Sequence, residues 1–273
     1  MKAGGMKGRV LICAGSDSGG GAGIQADIKA VTALGGFAMT AVTALTAQNT
    51  LGVQGVLGVD VAFIRQQIAS VLDDLGADAI KTGMLHDTPT IEAVCEELAA
   101  RAPGIPLVAD PVMIAKGGHS LLAEDAVETL KRRLLPLATV ITPNIPEAEV
   151  LSGITIADEA DMLRAAHAIL ALGVRAVLLK GGHMEGDVLV DLLATPAGVI
   201  RFEDRRIDTR HTHGTGCTLA SAVATGLAQG LALEAAVRRG RAYVRAAIAS
   251  APGYGGGHGP LDHGVTVDAG KFG

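Results

Sequence analysis

The chain has 273 residues, with 23 Lys+Arg against 28 Asp+Glu and a formal net charge of −5. That balance excludes a phosphate-backbone-binding surface, which needs a basic patch, so no nucleic-acid partner is expected. Hydrophobic residues make up 49%, but aromatics only 2% and Trp none, so a large core must be built from Ala, Val, Leu and Ile.

In chain order, residues 1–8 read as a flexible lead-in to VLICA (10–14). That apolar run ends in Gly, Ser and Asp, and is too short for a signal peptide or a membrane span. Further β-rich runs are AMTAVTAL (38–45), VQGVLGV (53–59), DAIKTG (78–83), PLVADPV (106–112), TVITPN (139–144) and RAVLLKGG (175–182). Helical patterns lie between them near 23–34, 61–74, 88–101, 121–133, 159–172, 216–229 and 233–250. Residues 186–193 and 198–208 read as a hairpin turning at Pro196-Ala197-Gly198. Strands alternating with helices predict a mostly parallel sheet flanked by helices, an α/β fold in one domain over 1–273, with no internal repeat. The three cysteines, Cys13, Cys95 and Cys217, are far apart and lack CxxC spacing, which predicts reduced thiols and a cytoplasmic protein.

Polar and glycine residues gather where the strands end, and in open α/β sheets that edge carries the ligand crevice. GSDSGGGAGIQAD (15–27) follows a strand and opens a helix, so its N–H groups are candidates to hold an anion. It lacks the lysine of a Walker loop, and its GxGxxA match has no acidic residue at the next strand end for a dinucleotide ribose. A tight strand–helix turn would equally explain its glycines. In HTHGTGCTLASA (211–222), Gly214, Thr215, Gly216 and Cys217 open a small-residue helix. Its N–H groups suit a transferring phosphoryl group, and the same field predicts a lowered Cys217 pKa. Cys217 can be read as nucleophile, base, ligand or simple packing. A cysteine acyl-transfer enzyme with His211 or His213 as base, and a non-catalytic binding module, both stay open at this point.

The segments AGSDSGGGAGIQADIKA, TALTAQNT, KTGML, VADPVM, ITPNIPEAE, LLKGGH, THGTGCTLASA and GGGHGPLDH appear in order over residues 13 to 263. Together they resemble the hydroxymethylpyrimidine/phosphomethylpyrimidine kinase family of thiamine biosynthesis, within the ribokinase-like superfamily. The resemblance implies a three-layer αβα fold, ATP and Mg²⁺ as cofactors, and phosphorylation of a small aminopyrimidine alcohol and then of its monophosphate. Asp27 and Gln48 match positions that hydrogen-bond the pyrimidine; Gly15, Met84 and Val112 match the pocket lining. Asp110 and Glu147 match the acids that organise Mg²⁺, and Lys180, with Asp110 and Thr215, matches the phosphate side. Gly214, Gly216 and Cys217 match an anion hole and base, with cysteine where related sugar kinases carry aspartate. Each has a plainer reading: Asp110 as a strand–turn residue, Lys180 as a solvated strand end, Glu147 as a first-turn acid, Met84 as core. A pyridoxal or pyridoxine kinase is the alternative. A homodimer is implied by the resemblance alone, and no fused domain is expected, which leaves the synthase step to a separate chain. Gly253–Gly257 reads as a mobile loop before the His258–Gly259–Pro260 segment, and His211 and His213 are not read as zinc ligands.

Overall fold

Strand β1 (Arg9–Ala14) begins exposed at Arg9 and is then buried at all five following residues. A continuous apolar run of this kind suits a strand covered on both faces. Val10 and Ile12 pack on one side and Leu11 and Cys13 on the other. The computed structural model describes residues 7–113, 124–184, 186–268 and 270. Residues 1–6 of the expected flexible start, and 121–123 of the expected helix, lie outside them.

From β1 the chain runs through α1 (Gly23–Ala33) to β2 (Phe37–Val42), and then through a hairpin of β3 (Ala44–Asn49) and β4 (Gly52–Gly58). It continues as α2 (Val61–Asp74), β5 (Ala79–Thr82), α3 (Thr88–Arg101), β6 (Leu107–Ala109), α4 (Glu124–Thr129) and β7 (Val140–Ile141). Next come α5 (Ile145–Ser152), α6 (Glu159–Leu170), β8 (Val177–Lys180), β9 (Val188–Thr195), β10 (Gly198–Arg205), α7 (Thr215–Ala228) and α8 (Leu233–Ala249). The main sheet has eight strands in the order β10-β9-β8-β7-β6-β5-β1-β2. Strands β1, β2 and β5 to β8 in that sheet are parallel, and β9 and β10 add an antiparallel edge, the expected hairpin. One face is covered by α2, α3, α5 and α6, through residues such as Ile64, Ile91, Leu151 and Met162. The other is covered by α1, α7 and α8, through Val31, Val223 and Val244. This is a three-layer αβα fold, as expected. Among the described residues no helix is long and apolar enough to cross a membrane.

The expected single strand at 38–45 is two strands in two sheets. The break is Thr43, whose N–H donates to Ala14 O (3.0 Å) and whose hydroxyl donates to Met84 O (2.6 Å). Beyond it β3 pairs antiparallel with β4 in a separate two-stranded sheet, with a register shift between Ala47 and Gln48. Alternation of apolar residues persists through such a break, because the pattern encodes a buried face and not the partner that covers it. The expected helix near 121–133 becomes α4, a π-helical turn (Leu130–Leu134) and a 3₁₀ turn (Leu135–Leu137). Helix α5 was not among the expected helical segments, although Glu147 had the reading of a first-turn acid, and Asn144 and Glu147 form a capping box at its start.

Six parallel strands point their C-terminal ends to one edge. Chain order reverses around β1, with β2 and β5 as its neighbours, which makes this the switch-point crevice of the sheet. Helix α7 starts against that edge. All residues from Thr218 to Gly226 are buried, and glycine at 226 lets α7 approach α8, since a Cβ there would lie 2.6 Å from Ala236 Cβ.

Candidate active site

The loop between β1 and α1 already contains an anion of its own. The buried Asp17 carboxylate accepts the N–H groups of Gly19 (2.8 Å), Gly21 (3.0 Å) and Ala22 (2.7 Å), and lies 2.9 Å from His213 Nε2. Burial alone would raise its pKa; the His213 contact and the loop N–H groups outweigh burial and hold it below the usual carboxylate value. The expectation that this loop offers its N–H groups to a ligand is therefore corrected, because three of them are taken by Asp17. Gly15 and Met84 do meet: a Cβ on Gly15 would lie 2.5 Å from Met84 Cε. Both are buried, while Val112 is half-buried and donates its N–H to Asp110 O (2.9 Å).

Asp27 is corrected more sharply. It was expected to face the acceptor, but it is 0% exposed. Its carboxylate oxygens lie 2.8 and 2.9 Å from Lys81 Nζ, and Ser221 Oγ donates to Oδ1 at 2.7 Å. Lys81, on β5, is also 0% exposed, so the two charges form a sealed pair. Ser221 is one helical turn beyond Cys217 on the same face of α7, which sets the pair beneath the cysteine. The sequence reading named neither Lys81 nor Asp17 as a site residue. A lysine in a buried strand was visible in DAIKTG, and an Asx-type turn in GSDSGG, but not the partners of either.

The thiol itself departs from expectation. Cys217 is half-buried at the start of α7. Burial pushes the thiol up to about 12, with Lys81 and the Gly23 N–H pulling down and Asp27 and Asp110 pushing further up. The helix-end field was expected to dominate, but desolvation outweighs it. Burial therefore disfavours the thiolate. Alkylation of Cys217 by iodoacetamide, followed by peptide mass spectrometry, is expected to accelerate about tenfold per pH unit from 7 to 9. A plateau below pH 8 would contradict this account.

A second cluster sits beside it. Asp110, just past β6 and 3% exposed, accepts from Thr142 Oγ1 (2.9 Å) and from Lys180 Nζ (3.2 Å). Lys180 ends β8, which bridges to Asn144 at the start of α5. Burial pushes the Glu147 carboxyl up to about 7, against the pull of Lys180 and of the Asn144 and Met113 N–H groups; Asp110 adds to the rise. These groups converge on α7: a Cβ on Gly216 would lie 3.2 Å from Lys180 Nζ and 3.6 Å from Asp110 Oδ2. Gly214, the N-cap of α7, has φ +81°, and a Cβ there would lie 1.8 Å from Gly21 O. Glycine is needed at Gly214, for left-handed backbone and close approach together. No side chain caps the start of α7, which lies beside this cluster, and an uncapped helix N-terminus suits an anion. Thr215 donates its hydroxyl to Thr212 O (2.8 Å).

Gln48, at the shift in β3, is half-buried, with Nε2 3.4 Å from His213 Nε2. The C-terminal segment closes the arrangement. His213 N donates to Gly259 O (3.1 Å), and Thr218 Oγ1 lies 2.9 Å from His263 Nε2. The segment Gly253–Gly257, expected as a loop able to close over the site, rests on the β3–β4 turn. Gly257 N donates to Thr50 Oγ1 (3.3 Å), and His258 N to Thr50 O (3.0 Å).

An αβα sheet with a small-residue helix starting against paired Asp and Lys at its strand ends defines a small-molecule phosphotransferase of the ribokinase-like class. The phosphomethylpyrimidine kinase family pattern matches residues 17–262. A hydroxymethylpyrimidine/phosphomethylpyrimidine kinase of Streptomyces coelicolor is 52% identical over 258 residues, 94% of this chain and 95% of that one. Among solved structures, phosphomethylpyrimidine kinase of Clostridium difficile superposes with TM-score 0.78 at 42% identity, covering 88% of this chain and 98% of that one. Bacillus subtilis pyridoxal kinase in its ADP complex superposes with TM-score 0.88 at 37% identity, covering 95% and 98%. The chain belongs to the phosphomethylpyrimidine kinase family and is a kinase.

Proposed function

We propose that this chain, as one kinase domain, uses ATP to phosphorylate 4-amino-5-hydroxymethyl-2-methylpyrimidine and then its monophosphate, in thiamine biosynthesis. The observation that carries the reading is the convergence of Gly216, Lys180 and Asp110 at the start of α7, beside Cys217. Relatives whose names state both phosphorylations support the acceptor. A complex of a solved neighbour with ADP supports the nucleotide.

The uncapped N–H groups of α7 and the Lys180 ammonium receive the transferring phosphoryl group, whose charge is spread over its oxygens. Asp110 and Glu147 fit Mg²⁺: two buried carboxylates share a single lysine, and the ion favours one or two carboxylates completed by phosphate oxygens and water. Bound there, Mg²⁺ would neutralise charge on the nucleotide phosphates. Cys217 accepts the proton of the acceptor hydroxyl, with the Lys81 ammonium favouring its thiolate. Gln48 reads the ring edge, and Gly15, Met84 and Val112 wall the pocket. Asp27 acts from behind, as the counter-charge that keeps Lys81 in place. ATP consumption is expected to require both the pyrimidine alcohol and Mg²⁺, and to yield mono- and then diphosphate; pyrimidine-independent turnover would overturn the reading.

A pyridoxal kinase is the second reading, favoured by the 0.88 TM-score to the Bacillus subtilis enzyme. The acidic balance and reduced cysteines support a cytoplasmic location. A homodimer is supported by apolar side chains exposed on and beside the β3–β4 hairpin: Leu45, Leu51, Val56, Leu57 and Phe63, with Leu51 73% and Leu57 67% exposed. Leu57→Asp is expected to shift sedimentation from dimer to monomer; an unchanged dimer would place the interface elsewhere.

A further inference from the structure

Three side chains stand in one row across β8, β9 and β10. Lys180 on β8 is the register partner of Asp191 on β9, and Asp191 is the partner of Phe202 on β10. Residues directly opposite share a face of the sheet, with Cβ atoms about 5 Å apart. Leu178 and Leu193, partners two residues along, pack into the core under α7 and α8, so the row lies on that face. A buried carboxylate is thus within a side chain's reach of Lys180. The lysine nevertheless turns the other way, toward β6, where its ammonium bonds Asp110 Oδ1 at 3.2 Å. Both Asp191 oxygens are occupied: Oδ1 accepts the Gly181 N–H (2.9 Å) and Oδ2 accepts Arg241 Nε (2.8 Å). Arg241 comes from α8 and is itself held. Its Nη2 lies 3.0 Å from Asp204 Oδ2, and its guanidinium carbon is 5.0 Å from the centre of the Phe202 ring. With side chains 11% and 7% exposed, Arg241 and Asp191 form a buried ion pair.

We propose that Arg241 is a positioning residue for Lys180. By neutralising Asp191 it leaves the Lys180 ammonium directed to Asp110 and the start of α7, where the phosphoryl group is transferred. This rests on the reading above of Lys180 as the phosphate-side lysine. Without Arg241, Asp204 keeps Arg245 (3.2 Å), but Asp191 becomes a buried carboxylate with no cation. Such a charge is costly enough to draw in a cation within reach, and the one directly opposite is Lys180. A lysine drawn across to β9 leaves Asp110 and Gly216 behind, and the transferring group loses its ammonium although the anion-binding end itself is unaltered.

The test is a double-mutant cycle in kcat/KM for ATP at saturating pyrimidine alcohol, on variants shown by thermal unfolding to be folded at the assay temperature. Arg241→Met is expected to lower kcat/KM by about a hundredfold, the scale of one lost charge-stabilising group. Adding Asp191→Asn removes the competing carboxylate and keeps an acceptor for the Gly181 N–H, so the double variant is expected to recover most of that loss. In a Lys180→Met background Arg241→Met is expected to have little further effect, because the lysine it directs is gone. Arg241→Gln keeps an N–H donor for Asp191 without the charge, and takes the place of Arg241→Met if that variant fails to fold. An Arg241 variant as active as wild type, no recovery with Asp191→Asn, or an equal loss with and without Lys180 would each overturn the inference. A Lys180→Met enzyme as active as wild type would instead overturn the reading of Lys180 on which it rests.

Discussion

Lys81→Met is expected to destabilise the protein by about 3–5 kcal/mol, because it leaves the Asp27 carboxylate buried without its cation. The pair is fully enclosed, with Lys81 Nζ 2.8 Å from Asp27 Oδ2, and only Ser221 Oγ remains to share the charge. Burial already raises the Asp27 pKa, with Lys81 as the largest opposing influence, so removing the lysine raises it further. A carboxyl whose folded pKa lies above its unfolded value contributes stability at low pH that is lost as pH rises. The deficit of the variant is therefore smallest near pH 4 and largest above neutrality. Urea unfolding of both proteins across that range checks it. Replacing both residues, Asp27→Leu with Lys81→Met, is expected to recover most of the stability, since an apolar pair often replaces a buried ion pair at no cost. A Lys81→Met protein as stable as wild type at pH 8 would show that the pair is not sealed.

The second large effect concerns catalysis. Cys217→Ala is expected to reduce kcat/KM for the first phosphorylation by roughly a thousandfold, the range of a lost general base, and to affect the second step far less. In the first step a neutral hydroxyl must lose a proton; in the second the acceptor is already an anionic phosphate. The pH profile follows from the thiol at about 12. For the first step kcat/KM reports the free enzyme and is expected to rise with near-unit slope from pH 7 to 9, while the second step stays nearly flat. Separate initial-rate assays with the alcohol and with the monophosphate distinguish the two. Equal losses in both steps would remove Cys217 from the role of base and leave it as packing at the helix start.

What was legible in the sequence was the edge of the sheet. Asp110, Lys180, Gly214, Gly216 and Cys217 follow or end short apolar runs, or open a small-residue helix, and parallel strands bring such positions together whatever the loop lengths. Depth was not legible. Asp27 sits on α1 and Lys81 on β5, and only the packing of α7 across both turns them into a sealed pair, so Asp27 reads in sequence as an accessible carboxylate. The same blindness to depth produced the opposite expectation for the Cys217 thiol, because a pattern shows where a helix starts and not how much water reaches it. Asp17 was hidden by its glycines: a loop that looks built for a ligand anion holds one of its own. The β3–β4 hairpin was missed because Thr43 changes strand partners without interrupting the alternation.

The account stands or falls on the acceptor. Side-by-side steady-state assays of wild-type enzyme with 4-amino-5-hydroxymethyl-2-methylpyrimidine and with pyridoxal, at equal ATP and Mg²⁺, test it most directly. A higher kcat/KM for the pyrimidine, with diphosphate as the final product, is the predicted result. A strong preference for pyridoxal, with no second phosphorylation of the pyrimidine, would contradict it.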